Sequence, residues 1–163
     1  MEMRINTHEL PLRNAFTISR GSFDHQQTVV VELEENGKVG FGEATQHAYY
    51  GHTTDSISTS LQTLSPLLEQ FDIGSPETIW QSASEVLNED DFALSAFDQA
   101  VHDLHGKLHG TSVFTRAGLT WDNVPMTSIT LSINSISNMI EQMHQYADWP
   151  IFKIKLGADQ DLE

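Results

Sequence analysis

The sequence predicts an α+β domain, a three-stranded antiparallel sheet followed by helices, which gives way near residue 125 to the start of a parallel α/β domain. Three observations carry this prediction. Asn36-Gly37 stands between two β-branched, apolar runs, the composition of a two-residue hairpin turn. Apolar residues then recur at helical spacing from about residue 57 to residue 108. Over residues 126–156 the pattern becomes strand, helix, strand with short links, a βαβ unit that requires parallel strands and a right-handed crossover.

Residues 3–10 alternate loosely and stop at Pro11, which reads as a first strand entering a turn. The polar, glycine-opened stretch Gly21-Ser22-Phe23-Asp24-His25-Gln26-Gln27 reads as a loop. Thr28-Val29-Val30-Val31-Glu32-Leu33-Glu34 and Lys38-Val39-Gly40-Phe41-Gly42-Glu43-Ala44 are the two strands around the turn. Gly40-Phe41-Gly42 lacks the third glycine and the following helix of a dinucleotide fingerprint, so it reads as a strand packed closely against a neighbour. Residues 45–53 are irregular and hold His47, Tyr49, Tyr50, Gly51 and His52, side chains suited to recognition and equally common on ordinary surface.

Ile57, Leu61, Leu64 and Leu68 share a helical face that Pro66 interrupts. Ser75-Pro76-Glu77 reads as an N-cap followed by proline at the first helical position, opening a helix through Ile79, Trp80, Ala83, Val86 and Leu87. The clearest helix covers about residues 92–109, with Ala96, Phe97, Ala100, Val101, Leu104 and Leu108 in one stripe and Gly110 at its end. Its polar face carries His102, His105 and His109. A zinc site would need those imidazoles convergent and supported by further hydrogen bonds, whereas a solvated helix end, whose negative dipole suits histidine, accounts for the same residues. After a helical turn within residues 112–118, Ile129, Leu131 and Ile133 alternate with Ser128, Thr130 and Ser132 in a strand with one polar face. A helix through Ile136, Met139, Ile140, Met143 and Tyr146 follows, and Pro150 introduces the last strand.

At 163 residues and 39% hydrophobic, the chain can bury one core and begin a second. Acidic residues outnumber basic ones 23 to 8, a formal charge of -15, which argues against nucleic acid and anionic membranes as partners. Cysteine is absent, so there is no disulfide framework, thiolate metal site or cysteine nucleophile. Met1-Glu2-Met3-Arg4 lacks the pattern of a signal peptide, and no apolar run approaches the roughly 20 residues of a membrane span, so a cytoplasmic location is expected. No phosphate-binding loop or nucleophile elbow occurs.

Against this acidic background lysine is scarce, with Lys38 and Lys107 the only ones apart from Lys153 and Lys155. In Ile151-Phe152-Lys153-Ile154-Lys155-Leu156-Gly157 strand alternation puts both lysines on one face, roughly 6–7 Å apart, and Phe152, Ile154 and Leu156 on the other. Like charges that close disfavour each other, which would poise one of the pair as a base. An edge strand that uses lysine to block aggregation has the same pattern.

The Gly40-Phe41-Gly42-Glu43-Ala44 return strand, the helical Ala96-Phe97-Asp98-Gln99-Ala100-Val101-His102-Asp103-Leu104-His105-Gly106-Lys107 stretch and the βαβ unit ending in Phe152-Lys153-Ile154-Lys155-Leu156-Gly157 together resemble the enolase superfamily, muconate-lactonizing-enzyme subgroup. Phe16-Thr17-Ile18-Ser19-Arg20-Gly21-Ser22 and Tyr49-Tyr50-Gly51-His52 resemble the dipeptide epimerases within it, which interconvert L-Ala-D-Glu and L-Ala-L-Glu or related dipeptides. The resemblance implies that residues 1–124 are a capping domain and residues 125–163 the first βαβ of a (β/α)₇β barrel of the TIM type, left incomplete. Loops at about residues 18–27 and 45–53 would close over the barrel mouth and select the substrate. Arg20 would meet its distal end or a carboxylate, and Thr130, Tyr50 and His52 would line the same pocket. Lys155 would be the acid/base on one face of the α-carbon, with Lys153 beside it lowering its proton affinity.

The implied chemistry needs Mg²⁺ as a Lewis acid to stabilise an enediolate, as in enolase-superfamily sites. The family supplies three carboxylate ligands and a second lysine from later barrel strands. Asp159, Asp161 and Glu163 come too early to be those ligands. Residues 1–163 are therefore expected to be an N-terminal portion, inert alone, acting on a small dipeptide once the barrel is completed, whether by later strands or by a second polypeptide, and homo-oligomeric as in the full-length family. Other readings are o-succinylbenzoate synthase, N-succinylamino acid racemase or muconate cycloisomerase, and a non-catalytic acidic binding or assembly domain. The last would place both lysine amines in bulk solvent.

Overall fold

The computed structural model describes residues 1–88 and 90–157. It has two compact units: Met1–Leu10 with Gln27–Thr120, and Pro11–Gln26 with the chain from Trp121 onward. The compact units thus cut across the chain order expected from sequence, because residues 11–26 group with the later segment. No helix among the described residues is long and apolar enough to cross a membrane.

Glu2–Ile18, Gly21–Glu35 and Lys38–Thr45 form a sheet of order β1-β2-β3, of which β1 up to Leu10, β2 from Gln27 and all of β3 belong to the first unit. Asn36 (φ 52°) and Gly37 (φ 73°) make the turn between β2 and β3, both in the left-handed region that a two-residue hairpin turn requires. The antiparallel register then runs from Glu35 opposite Lys38 to Thr28 opposite Thr45. Alternation sends Val29, Val31 and Leu33 inward, all fully buried. On the other face Arg4 bridges Glu32 and Glu34 at 3.0 and 2.9 Å.

Helices cover the inner face. Thr53 and Ser56 form a reciprocal capping box that starts α1, Thr54–Gln62. This helix is shorter than the sequence stripe suggests: Leu64 and Leu68 reach the core from around a 3₁₀ turn, Ser65–Leu67, where Pro66 cannot continue the α-helical ladder. α2 is Pro76–Val86, burying Ile79 and Ala83 and leaving Trp80 largely exposed. α3 is Asp91–His109. The Asp90 carboxylate accepts from Ala93 N–H at 2.9 Å to cap its start, and Gly110 (φ 64°) ends it. A short α4, Val113–Arg116, follows.

α3 lies directly on β3. A Cβ at Gly40 would stand 2.3 Å from the Ala100 carbonyl oxygen, and one at Gly42 only 1.9 Å from that of Ala96. Side chains of α3 also satisfy the free edge of β3. Asp103 accepts from Phe41 N–H (2.8 Å), the Gln99 amide both accepts from Glu43 N–H and donates to Glu43 C=O (3.2 Å each), and Lys107 donates to Val39 C=O (2.8 Å). A helix thus does for this edge what a fourth strand would do.

β1 corrects the sequence reading. The strand does not stop at Pro11 but continues to Ile18, and β2 begins at Gly21, so the expected loop over residues 21–27 is strand. β1 is an edge strand, where a missing N–H need not cost a ladder bond. In the second unit this outer hairpin accompanies β4 (Ile129–Leu131), α5 (Ile136–Gln145) and β5 (Phe152–Ile154). β4 and β5 are parallel, with Ile129, Thr130 and Leu131 opposite Phe152, Lys153 and Ile154. The expected strand over residues 126–133 pairs only at its centre. Beyond it Ile133 N–H turns to Thr17 C=O (2.9 Å) and the Ser132 hydroxyl donates to Ala15 C=O (3.3 Å), so Ser132 is buried under the hairpin.

Gly42→Ala tests the α3–β3 approach. Urea denaturation should show a loss of roughly 3 kcal/mol or more, since neither backbone can yield cheaply; a change below about 1 kcal/mol would mean that the two elements separate freely.

Candidate functional site

Register places Lys153 beside Thr130, and in a parallel pair such partners point to the same face. Lys155 lies one step further along, its N–H donating to Leu131 C=O at 3.0 Å. Thr130, Lys153 and Lys155 therefore share the polar face, near the C-terminal ends of the two strands, the end at which parallel barrels carry their chemistry. Lys153 is exposed and Lys155 half-buried.

The hairpin carries Arg20 to the same unit. Its tip is the tight Ser19-Arg20 link rather than a broad loop, clasped by a 2.8 Å hydrogen bond between the Thr17 and Ser22 hydroxyls and by the Phe16 and Phe23 rings, 5.5 Å apart. Gly157, at φ 146°, lets this tip sit down on the end of the lysine strand: a Cβ there would be 2.9 Å from Ser19 Cβ. Arg20 itself is exposed.

Charge is distributed to match. The described residues of the second unit balance four cations (Arg13, Arg20, Lys153 and Lys155) against four carboxylates (Asp24, Asp122, Glu141 and Asp148), so the first unit carries most of the chain's acidic excess. A guanidinium, two ammonium groups and a hydroxyl suit a substrate bearing carboxylate.

Tyr50 and His52 belong to the first unit. His47 and His52 close the loop between them, with His47 N–H donating to His52 C=O at 2.9 Å. Tyr49 and Tyr50 are each 63% exposed and meet edge-on at 5.0 Å. The His52 ring stacks on Phe92 at 4.4 Å, and its Nδ1 lies 3.3 Å from Asp90 Oδ1. Sequence reasoning missed Asp90. Its carboxylate serves both α3 and His52, and nothing local shows an imidazole arriving from 38 positions upstream.

The three histidines of α3 do not converge. The reading of a solvated helix end fails for His105, which is buried with its Nδ1 unpartnered. The His109 ring stacks on His105 at 4.1 Å. His102 turns elsewhere, its Nδ1 accepting from Arg116 at 3.1 Å while Arg116 also pairs with Glu77. Among the described residues no three His, Asp or Glu side chains gather to hold a metal ion. Asp159, Asp161 and Glu163 lie outside the described residues. Burial, reinforced by Arg116 and the neighbouring histidines, pushes His105 below the usual imidazole pKa, and burial pushes Asp98 up.

The sheet and helices of the first unit are the N-terminal capping architecture of enolase-superfamily enzymes. Residues 1–118 match the family model "Mandelate racemase / muconate lactonizing enzyme, N-terminal domain", and the chain belongs to that family. An L-Ala-D/L-amino acid epimerase from Flavobacterium johnsoniae is 37% identical over 163 residues, all of this chain and 48% of that protein. An L-Ala-D/L-Glu epimerase from Bacteroides thetaiotaomicron is 34% identical over all of this chain and 43% of its own length. The crystal structure of a dipeptide epimerase from Methylococcus capsulatus, complexed with Mg and the dipeptide L-Arg-D-Lys, shares the fold with a TM-score of 0.86 at 22% identity, covering 98% of this chain and 46% of that one. The chain thus spans about half the length of the curated relatives it matches.

Two expectations follow from this geometry. His105 takes up a proton less readily when folded than when unfolded, so its contribution to stability is complete above the ordinary value of 6.5 and is lost as pH falls through the depressed folded value. Asp98, held up by burial, works in the opposite sense, but only in the more acidic carboxylate range. Urea titrations at pH 7.5 and 5.5 should show the parent weakening on acidification and His105→Phe weakening less; equal slopes would remove His105 as the cause. Gly157→Ala should cost about 1–3 kcal/mol and deprotect the Ile133 amide in hydrogen exchange, with Ser19→Gly restoring part of the loss; unaltered protection would show that the tip is not seated there.

Proposed function

We propose that the protein carrying this chain is a dipeptide epimerase that inverts an α-carbon by removing and returning its proton. The observation that carries the reading is Lys155, half-buried on the polar face at the end of β5 beside Lys153 and Thr130. Membership of the family and the epimerases among its relatives support it.

In this reading residues 1–124 cap a barrel whose first βαβ is residues 125–163. Lys155 Nζ takes the α-proton from one face of the substrate, leaving an enediolate, and Lys153 adds positive charge beside the developing oxyanion. Arg20 and Thr130 bind the substrate's polar groups, while Tyr50 and His52 select its side chains. A second acid/base on the opposite face completes inversion, supplied with the rest of the barrel by the same gene product or by a second polypeptide. Mg²⁺, present in the Methylococcus capsulatus complex, is the proposed cofactor. The described residues bring no ligand set together, so the steps assigned to them are those of the side chains alone. Assembly as a homo-oligomer belongs to the same proposal.

The test is α-proton exchange of L-Ala-L-Glu in D₂O, followed by NMR, with the protein as encoded by its gene and Mg²⁺ added. Lys155→Met should slow exchange by roughly 10³-fold or more, the scale of a lost general base. Exchange unchanged in Lys155→Met would sink the assignment, and turnover confined to N-succinylamino acids would exclude the dipeptide substrate.

A further inference from the structure

We propose that Asp90 is a positioning residue: it orients the aromatic loop of residues 47–52 by holding the His52 imidazole at the start of α3. This rests on the reading above, in which Tyr50 and His52 line the substrate pocket.

The loop is closed on itself more than it is buried. Tyr50 N–H donates to His47 C=O at 3.0 Å, Gly51 N–H to Ala48 C=O at 3.1 Å, and the two exposed tyrosines pack on each other and on His47. Three contacts tie it to α3: His52 stacked on Phe92, Tyr50 with its ring 6.1 Å from Phe92, and His52 Nδ1 against Asp90 Oδ1. The ring contacts leave the loop free to slide or rotate over Phe92, because stacking is weakly directional. The carboxylate contact adds a polar anchor at 3.3 Å to the apolar ones, and Asp90 is only 7% exposed. The same Oδ1 accepts from Ala93 N–H, so its position is fixed by the helix itself. One buried oxygen therefore serves both as helix cap and as the fixed point for His52. Loss of the carboxylate would leave the tyrosines on the loop but not in one place. Because neither is a reacting group, substrate binding should suffer and proton transfer should not.

Asp90→Ser separates the two duties, keeping a capping hydroxyl for Ala93 while removing the group that faces His52. Its melting temperature should stay within about 2 °C of the parent. Without substrate, the amides of His47 and Tyr50 should exchange roughly fivefold faster, and in turnover of L-Ala-L-Glu the KM should rise by a similar factor with kcat within about twofold, the scale of one lost polar contact. Asp90→Ala should add a drop in melting temperature from the lost cap. In a His52→Ala background Asp90→Ser should change neither amide exchange nor KM further. The proposal is overturned if Asp90→Ser leaves exchange at residues 47–52 unchanged, if kcat falls as far as KM rises, or if the effect persists undiminished without His52. Should the parent turn over no dipeptide, the functional reading falls by itself, and the exchange measurement still decides the role of Asp90.

Discussion

Gly40 and Gly42 bring the α3 backbone so near β3 that no side chain fits between them, and much of the first unit follows from that approach. Ala96 and Ala100 can face the strand because both contacting surfaces are small there, and their burial with Leu104 joins Val29, Val31 and Leu33 of the sheet to the helices in one core. The same closeness lets Gln99, Asp103 and Lys107 reach the strand's edge. An open edge that would otherwise pair with another chain is thereby converted into a helix-covered one. A helix held along its middle in this way also has fixed ends. At one end is Asp90, and through it His52; at the other the buried His105 packs against His109.

The parts of the fold legible in the sequence are those that local chemistry decides. Asn36-Gly37 announces its turn because few other residues accept left-handed backbone at two successive positions. The stripe of α3 and the glycine that ends it read correctly because periodicity and capping are local. So does the parallel pairing of β4 and β5, since a short link, a helix and a second link leave little choice. Register sets Thr130 beside Lys153.

What the sequence hid was decided by contacts distant along the chain. Pro11 and the polar residues 21–27 read as turn and loop, yet they continue as strand in a hairpin whose far end packs on Ser132, Ile133 and Gly157. Ser132 sits on a polar face by alternation and is buried because the Ala15 carbonyl is there to receive its hydroxyl. His105 belongs to a set that looked solvated, and only the packing of α3 shows which member turns inward. Asp90 is the same case at the candidate site, since its partner His52 lies 38 positions upstream.

The charge pattern explains why such a hairpin suits a binding element. A chain with formal charge -15 should repel a carboxylate substrate at most of its surface. Among its described residues the second unit escapes this by placing half of the chain's arginine and lysine, against four carboxylates, on two segments far apart in sequence, the outer hairpin and the lysine strand. Neither segment could do so alone, since two lysines on an isolated strand repel each other and one arginine on a free loop has no fixed direction. Seating the tip through Ser19 on Gly157 settles the second problem by fixing the backbone on either side of Arg20. The first is relieved by any anion bound between the neighbouring cations, since both stabilise it. The glycine after the lysines thus decides where the hairpin tip sits, although it contributes no side chain.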